Sequence, residues 1–150
     1  MKFAIVGNVG KEGLGDALEL LLSQLRGSSL DFAVEDALAP LLAGRSTAGM
    51  SGHVRSREAC LDGASMVIAF GGDGTILQAA RAVGPRATPI LGVNLGKLGF
   101  LAALAPAELE RAIGDILANK YVVEERLVLE ARSEALPGKT IYAINEIVVD

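Results

Sequence analysis

Met66-Val67-Ile68-Ala69-Phe70 is apolar without interruption and runs straight into Gly71-Gly72-Asp73-Gly74-Thr75. A half-exposed strand alternates apolar and polar side chains, so an unbroken run of this length belongs to a strand covered on both faces. Such strands sit in parallel sheets sheathed by helices. The preceding chain fits that demand. Phe3 to Val6 is a short apolar run closed by Gly7-Asn8, and Leu14, Ala17, Leu18, Leu21, Leu22 and Leu25 then follow at the spacing of one helix face. Asp31 to Val34 can form a second strand, giving β-α-β with a connection long enough for a right-handed crossover.

The same alternation continues past the glycines. Ile76, Leu77, Ala80 and Val83 mark a helix stopped by Gly84-Pro85, and Pro89 to Val93 reads as the next buried strand. Pro106 opens a helix whose apolar face is Leu109, Ala112, Ile113, Ile116 and Leu117. A short helix is expected from Arg57 to Leu61, ending at Gly63, with half-buried, reduced Cys60 on it. The Gly- and Ser-rich stretch from Ala43 to Ser56 has no apolar period and is expected to be a mobile loop, either a surface excursion or a lid, with His53 solvated in it. The expected fold class is α/β, a Rossmann-like parallel sheet with flanking helices.

Near Tyr121 the pattern changes. Leu127 to Ala131 and Thr140 to Val149 are β-rich and joined through Leu136-Pro137-Gly138-Lys139, a turn signal. Residues 1–120 are thus expected to form an α/β nucleotide-binding domain, and residues 121–150 the first strands of a truncated β-rich second domain. Two strands with an apolar face are marginal alone. The 150-residue chain is therefore expected to be a fragment with little or no activity by itself.

Composition excludes several classes. The net charge of −4 and the lack of any basic stretch argue against nucleic acid as a partner. One cysteine and one histidine cannot build a disulfide framework or a zinc cluster. No apolar run approaches the roughly 18 residues of a membrane helix, and Met1 to Asn8 is too short for a signal peptide, so no membrane partner and a cytoplasmic location are expected.

The glycines carry the chemistry. Gly71, Gly72 and Gly74 can bring backbone N–H groups to a ligand without Cβ obstruction and can adopt positive φ. The helix starting near Gly74 aims its dipole at the same point, which makes an anion site. A carboxylate there, Asp73, implies a bridging cation or a proton to be taken from an incoming hydroxyl; phosphate binding plus a placed base reads as phosphoryl transfer. The plainer alternative is a strand-to-helix turn capped by Asp73. A second cluster, Gly92-Val93-Asn94-Leu95-Gly96-Lys97-Leu98-Gly99-Phe100, ends the next strand. It is not a P-loop, because Gly92 to Gly96 is one residue short and Leu98 stands where Ser or Thr should bind magnesium. Nor does G-x-G-x-x-G open the first helix. Asn94 could hydrogen-bond a base or ribose, with Gly96 and Gly99 letting the chain run close to it, or the segment could be a tight turn needing positive φ. Asn145-Glu146 interrupts an apolar strand, either as an exposed face or as a grip on ribose and an adenine edge.

Gly71 to Arg81, Pro89 to Leu101, Glu125 to Glu130 and Ala143 to Val148 together resemble the NAD kinase family, over nearly the whole chain from Ala64 onward. The Gly-Gly-Asp-Gly-Thr core is shared with diacylglycerol and sphingosine kinases; the Asn-Leu-Gly-x-Leu-Gly-Phe-Leu segment points to NAD kinase. The resemblance implies transfer of the terminal phosphoryl of ATP to the adenosine-ribose 2′-hydroxyl of NAD, giving NADP, with Mg²⁺ or another divalent cation. It implies Asp73 as general base, Gly71, Gly72, Gly74 and Thr75 on phosphates, and Asn145 with Glu146 on the NAD ribose and adenine side. Asn94 and Phe100 would line the dinucleotide pocket. It also implies a homo-oligomer at full length, and places further family contacts beyond Asp150. Ala102-Ala103 departs from the family, which often has an acidic residue there. The rival expectations are a lipid or sphingoid kinase and a non-catalytic nucleotide-binding module.

Overall fold

Alternation within the apolar runs decides the layers. The computed structural model describes residues 1–26, 28, 30–43, 50–96, 99–102, 104–132, 134–135 and 137–144. Strands β1 (Lys2–Gly7), β2 (Asp31–Glu35), β3 (Val54–Arg55), β4 (Met66–Gly71) and β5 (Ile90–Asn94) pair in parallel in the order β3-β2-β1-β4-β5. Successive side chains leave a strand on opposite faces. Phe3, Ile5, Met66, Ile68 and Phe70 pack with helices α1 (Leu14–Arg26) and α5 (Leu109–Leu117), and with Leu42 of the short helix α2 (Ala39–Leu42). Ala4, Val6, Val67 and Ala69 pack with α3 (Arg57–Leu61) and α4 (Asp73–Val83). The result is a three-layer α/β fold. The largest fully buried side chains all belong to the α1 and α5 layer.

Several expectations need correction. Part of the supposed mobile loop is ordered: Met50–His53 forms a 3-10 turn and Val54–Arg55 pairs with Val34 and Glu35 as the sheet edge. That edge lies across β2 and β1 from β4, so residues 50–55 are no lid over the glycines; residues 44–49 lie outside the described set. His53 is not a solvated loop residue, because its ring stacks on Phe32 at 4.2 Å and its Nδ1 lies 3.1 Å from the Phe32 carbonyl. Cys60 is fully rather than half buried, its thiol donating to the Ala33 carbonyl at 3.3 Å. Burial in that apolar layer pushes its pKa from 9.0 to about 11, with the nearby Glu35 carboxylate adding to the rise. Strand β5 is only partly buried at Ile90 and Leu91, since it is the other sheet edge.

Beyond α5 the chain forms β6 (Leu129–Arg132) and β7 (Thr140–Ala143), an antiparallel pair from Leu129↔Ala143 to Arg132↔Thr140. Gly138, at φ 76°, supplies the left-handed residue of their connection. Residues 145–150, including the expected site residues Asn145 and Glu146, lie outside the described residues.

The topology points to one place. From β1 the chain lays strands outward on one side (β2, β3), then returns to lay β4 and β5 on the other. Open parallel sheets gather ligands outside the carboxyl ends of their strands at such a reversal. Here those ends are Gly7, Gly71 and Asn94.

Candidate active site

Three loops meet at these strand ends. Gly71 closes β4, and a Cβ on it would run into the side chain of Thr75, 2.8 Å from the Thr75 Cβ. Glycine is therefore required for the chain to fold back under itself. Thr75 is buried at 8% exposure and its N–H bonds the Gly72 carbonyl at 2.9 Å, so it braces the loop from beneath. Only Gly71 of the three glycines has positive φ; Gly72 caps α4 in extended geometry, and Asp73 is the first helical residue rather than the cap. A Cβ on Gly72 or Gly74 would meet nothing within 4 Å. Their bareness leaves room for a ligand instead of relieving a clash. The N–H groups of Gly72, Asp73 and Gly74 take no acceptor among the described residues. Such N–H groups can donate to an anion, aided by the α4 dipole.

Asp73 does something the pattern did not reveal. Its carboxylate reaches across to the second glycine cluster, accepting N–H bonds from Phe100 at 2.8 Å (to Oδ2), and from Leu101 at 3.0 Å and Ala102 at 3.3 Å (both to Oδ1). The Leu101 bond, then the Phe100 bond, hold its pKa below the ordinary 3.8, with Ala102 adding to the effect. Because the folded pKa is lowered, the clasp contributes stability above the ordinary carboxylate range and loses it as pH falls through the lowered value. Gly99 makes the approach possible: a Cβ there would lie 2.6 Å from the Asp73 Cγ and 2.7 Å from Oδ2. Gly96 and Gly99 do not have positive φ, so the reason for glycine at 99 is close approach and not turn geometry.

The remaining expected site residues that are described are Asn94, Gly96 and Phe100. Asn94 is 9% exposed and its Oδ1 accepts the Gly96 N–H at 3.0 Å, so it shapes the turn out of β5. Asn8 repeats the device at the end of β1, with its Oδ1 accepting the Gly10 N–H at 3.0 Å. The loops are also laced by main chain, Asn8 N–H to Phe70 carbonyl at 3.0 Å and Leu95 N–H to Gly71 carbonyl at 3.4 Å. Phe100 stands 88% exposed beside the carboxylate. Sequence reasoning passed over Lys11, whose ammonium lies 3.7 Å from where a Gly96 Cβ would be. Its position just after the first strand's Gly-Asn was the available signal.

Residues 3–121 match the family described as the ATP-NAD kinase N-terminal domain. The chain belongs to that family. An NAD kinase from Azotobacter vinelandii is 34% identical over 147 residues, 97% of this chain and 48% of the relative. One from Bacteroides fragilis is 49% identical over 87 residues, 57% of this chain and 30% of the relative. In fold, the chain is similar to yeast NADH kinase complexed with NADH (TM-score 0.77, 19% identity, 97% of this chain and 47% of that one). It is also similar to an NAD kinase from Archaeoglobus fulgidus in complex with ATP (TM-score 0.53, 22% identity, 91% and 44%). The chain spans less than half the length of each of these ATP-NAD kinase relatives.

Proposed function

We propose that this chain supplies the phosphoryl-transfer half of an NAD kinase, with residues 1–120 as its nucleotide-binding domain and residues 121–150 opening a second, β-rich domain. The observation that carries the reading is the Asp73 clasp. A carboxylate offers about four lone-pair positions. Three N–H groups fill three of them, both on Oδ1 and one on Oδ2. One position on Oδ2 remains, beside free N–H groups suited to phosphate and beside exposed Phe100. That is an acceptor for a sugar hydroxyl next to an anion site.

In this reaction the ribose 2′-oxygen of NAD forms a bond to the γ-phosphorus of ATP, the bond from that phosphorus to the bridging oxygen breaks, and ADP leaves. The hydroxyl proton passes to Asp73 Oδ2. The transition state is loose, so orientation of the hydroxyl and stabilisation of phosphoryl charge matter more than strong basicity. A lowered pKa is compatible with this, since it keeps Asp73 ionised at all physiological pH. The N–H groups of Gly72, Asp73 and Gly74 cradle the phosphates while Thr75 supports the loop.

The described residues do not fit a resident metal ion: no three His, Cys, Asp or Glu side chains cluster among them, and most of the Asp73 carboxylate is already engaged. A divalent cation would arrive on the nucleotide's own phosphates. The test is Asp73→Asn in the full-length kinase. NADP formation should fall at least about 10²-fold, with NAD affinity much less affected. Retained turnover removes Asp73 from the base role, while tight binding of ATP and NAD with no turnover by the unaltered full-length protein favours a nucleotide-binding module.

A further inference from the structure

Lys11 is half-buried in the loop between β1 and α1, and among the described residues its ammonium makes no ion pair or hydrogen bond. A half-buried lysine packs its stem and leaves its ammonium in water, where an arriving anion can meet it. It stands against Gly96, and the neighbouring Leu95 N–H bonds the carbonyl of Gly71, which ties this loop to the one that opens α4. Beside Lys11 opens a trough of about 560 Å³ between α1 and the turn at Pro106, lined by Glu12, Asp16, Leu20, Asn94, Gly96 and Pro106.

We infer that Lys11 is the phosphate-positioning cation for the phosphoryl donor, holding the polyphosphate of ATP at the Gly96 end of the trough. This rests on the phosphoryl-transfer reading. The exposed Glu12 carboxylate on the trough wall repels phosphates from the trough itself and suits the hydroxyls of a sugar. The nucleoside therefore lies in the trough and the phosphates emerge beside Lys11, toward the N–H groups of Gly72 and Gly74. The acceptor belongs at the other end of the second loop, where Gly99 and Phe100 meet Asp73. A triphosphate carries more charge than the pyrophosphate of a dinucleotide, so the unpaired cation matters more to the donor.

The experiment is calorimetric titration of the full-length kinase, unaltered and as Lys11→Gln and Lys11→Arg, with ATP, inorganic tripolyphosphate and NAD. Loss of one charged contact should weaken ATP and tripolyphosphate about 10-fold or more in Lys11→Gln, with Lys11→Arg restoring most of it and NAD little changed. ATP binding by Lys11→Gln equal to that of the unaltered chain, a loss falling on NAD instead, or failure of arginine to restore affinity overturns the assignment to Lys11 alone. If the unaltered full-length kinase binds neither ATP nor tripolyphosphate, the phosphoryl-transfer reading fails with it.

Discussion

Gly99→Ala is a one-carbon change that should disable the site without unfolding the protein. Its Cβ would stand 2.6 Å from Asp73 Cγ and 2.7 Å from Oδ2. Ordinary contact lies near 3.5 Å or beyond, so the carboxylate must retreat by about 1 Å. The bonds from Phe100 and Leu101, at 2.8 and 3.0 Å, would then stretch out of hydrogen-bonding range. Misplacing a reacting group by about 1 Å lowers the rate about 10²-fold. The assay is NADP formation by the full-length kinase at saturating ATP and NAD. We expect kcat to fall about 10²-fold with a small fall in Tm from loss of the clasp and no unfolding, because Gly99 is exposed and packs on no core side chain. Gly99→Ala and Asp73→Asn act on one carboxylate, so the double variant should be no slower than Asp73→Asn alone. Parental kcat in Gly99→Ala, or fully multiplicative losses in the double variant, refutes the reasoning.

Two further perturbations probe the layer beneath β2. Glu35 is 4% exposed, its Oε1 held by Arg57 Nε at 2.6 Å and its Oε2 without a partner among the described residues. Arg57→Ala leaves a buried charge alone; the arginine is partly solvent-screened, so the expected loss is about 1–3 kcal/mol by denaturant unfolding. Glu35→Gln in the same background should recover part of it, and an unchanged midpoint for Arg57→Ala would sink the account. Cys60 has a raised folded pKa, so its contribution to stability is complete below pH 9 and declines as pH rises toward about 11. Iodoacetamide at pH 8 should label it only as fast as the protein unfolds; rapid labelling of the native chain contradicts its burial.

Much of this architecture was written locally. Apolar runs at Phe3–Val6 and Met66–Phe70 carry their own burial on both faces, and α1 carries its apolar stripe, because periods of 2 and 3.6 are properties of short segments. The glycines and Asp73 were legible for the same reason. The edge strand Val54–Arg55 was not, since two residues in a Gly- and Ser-rich stretch have no period, and pairing with β2 alone makes them a strand. Likewise nothing near His53 announces a ring stacked on Phe32.

The sequence by itself determined the α/β class, the strand-loop-helix unit around Asp73 and the family to which the chain belongs. Only the tertiary structure decided what that carboxylate touches: main-chain N–H groups 27 to 29 residues away, approached over a glycine where a Cβ would push the carboxylate back. Backbone amides are the same at every residue, so no side-chain pattern encodes them as partners. They become specific donors only when β4 and β5 pair and bring two loops within hydrogen-bonding distance.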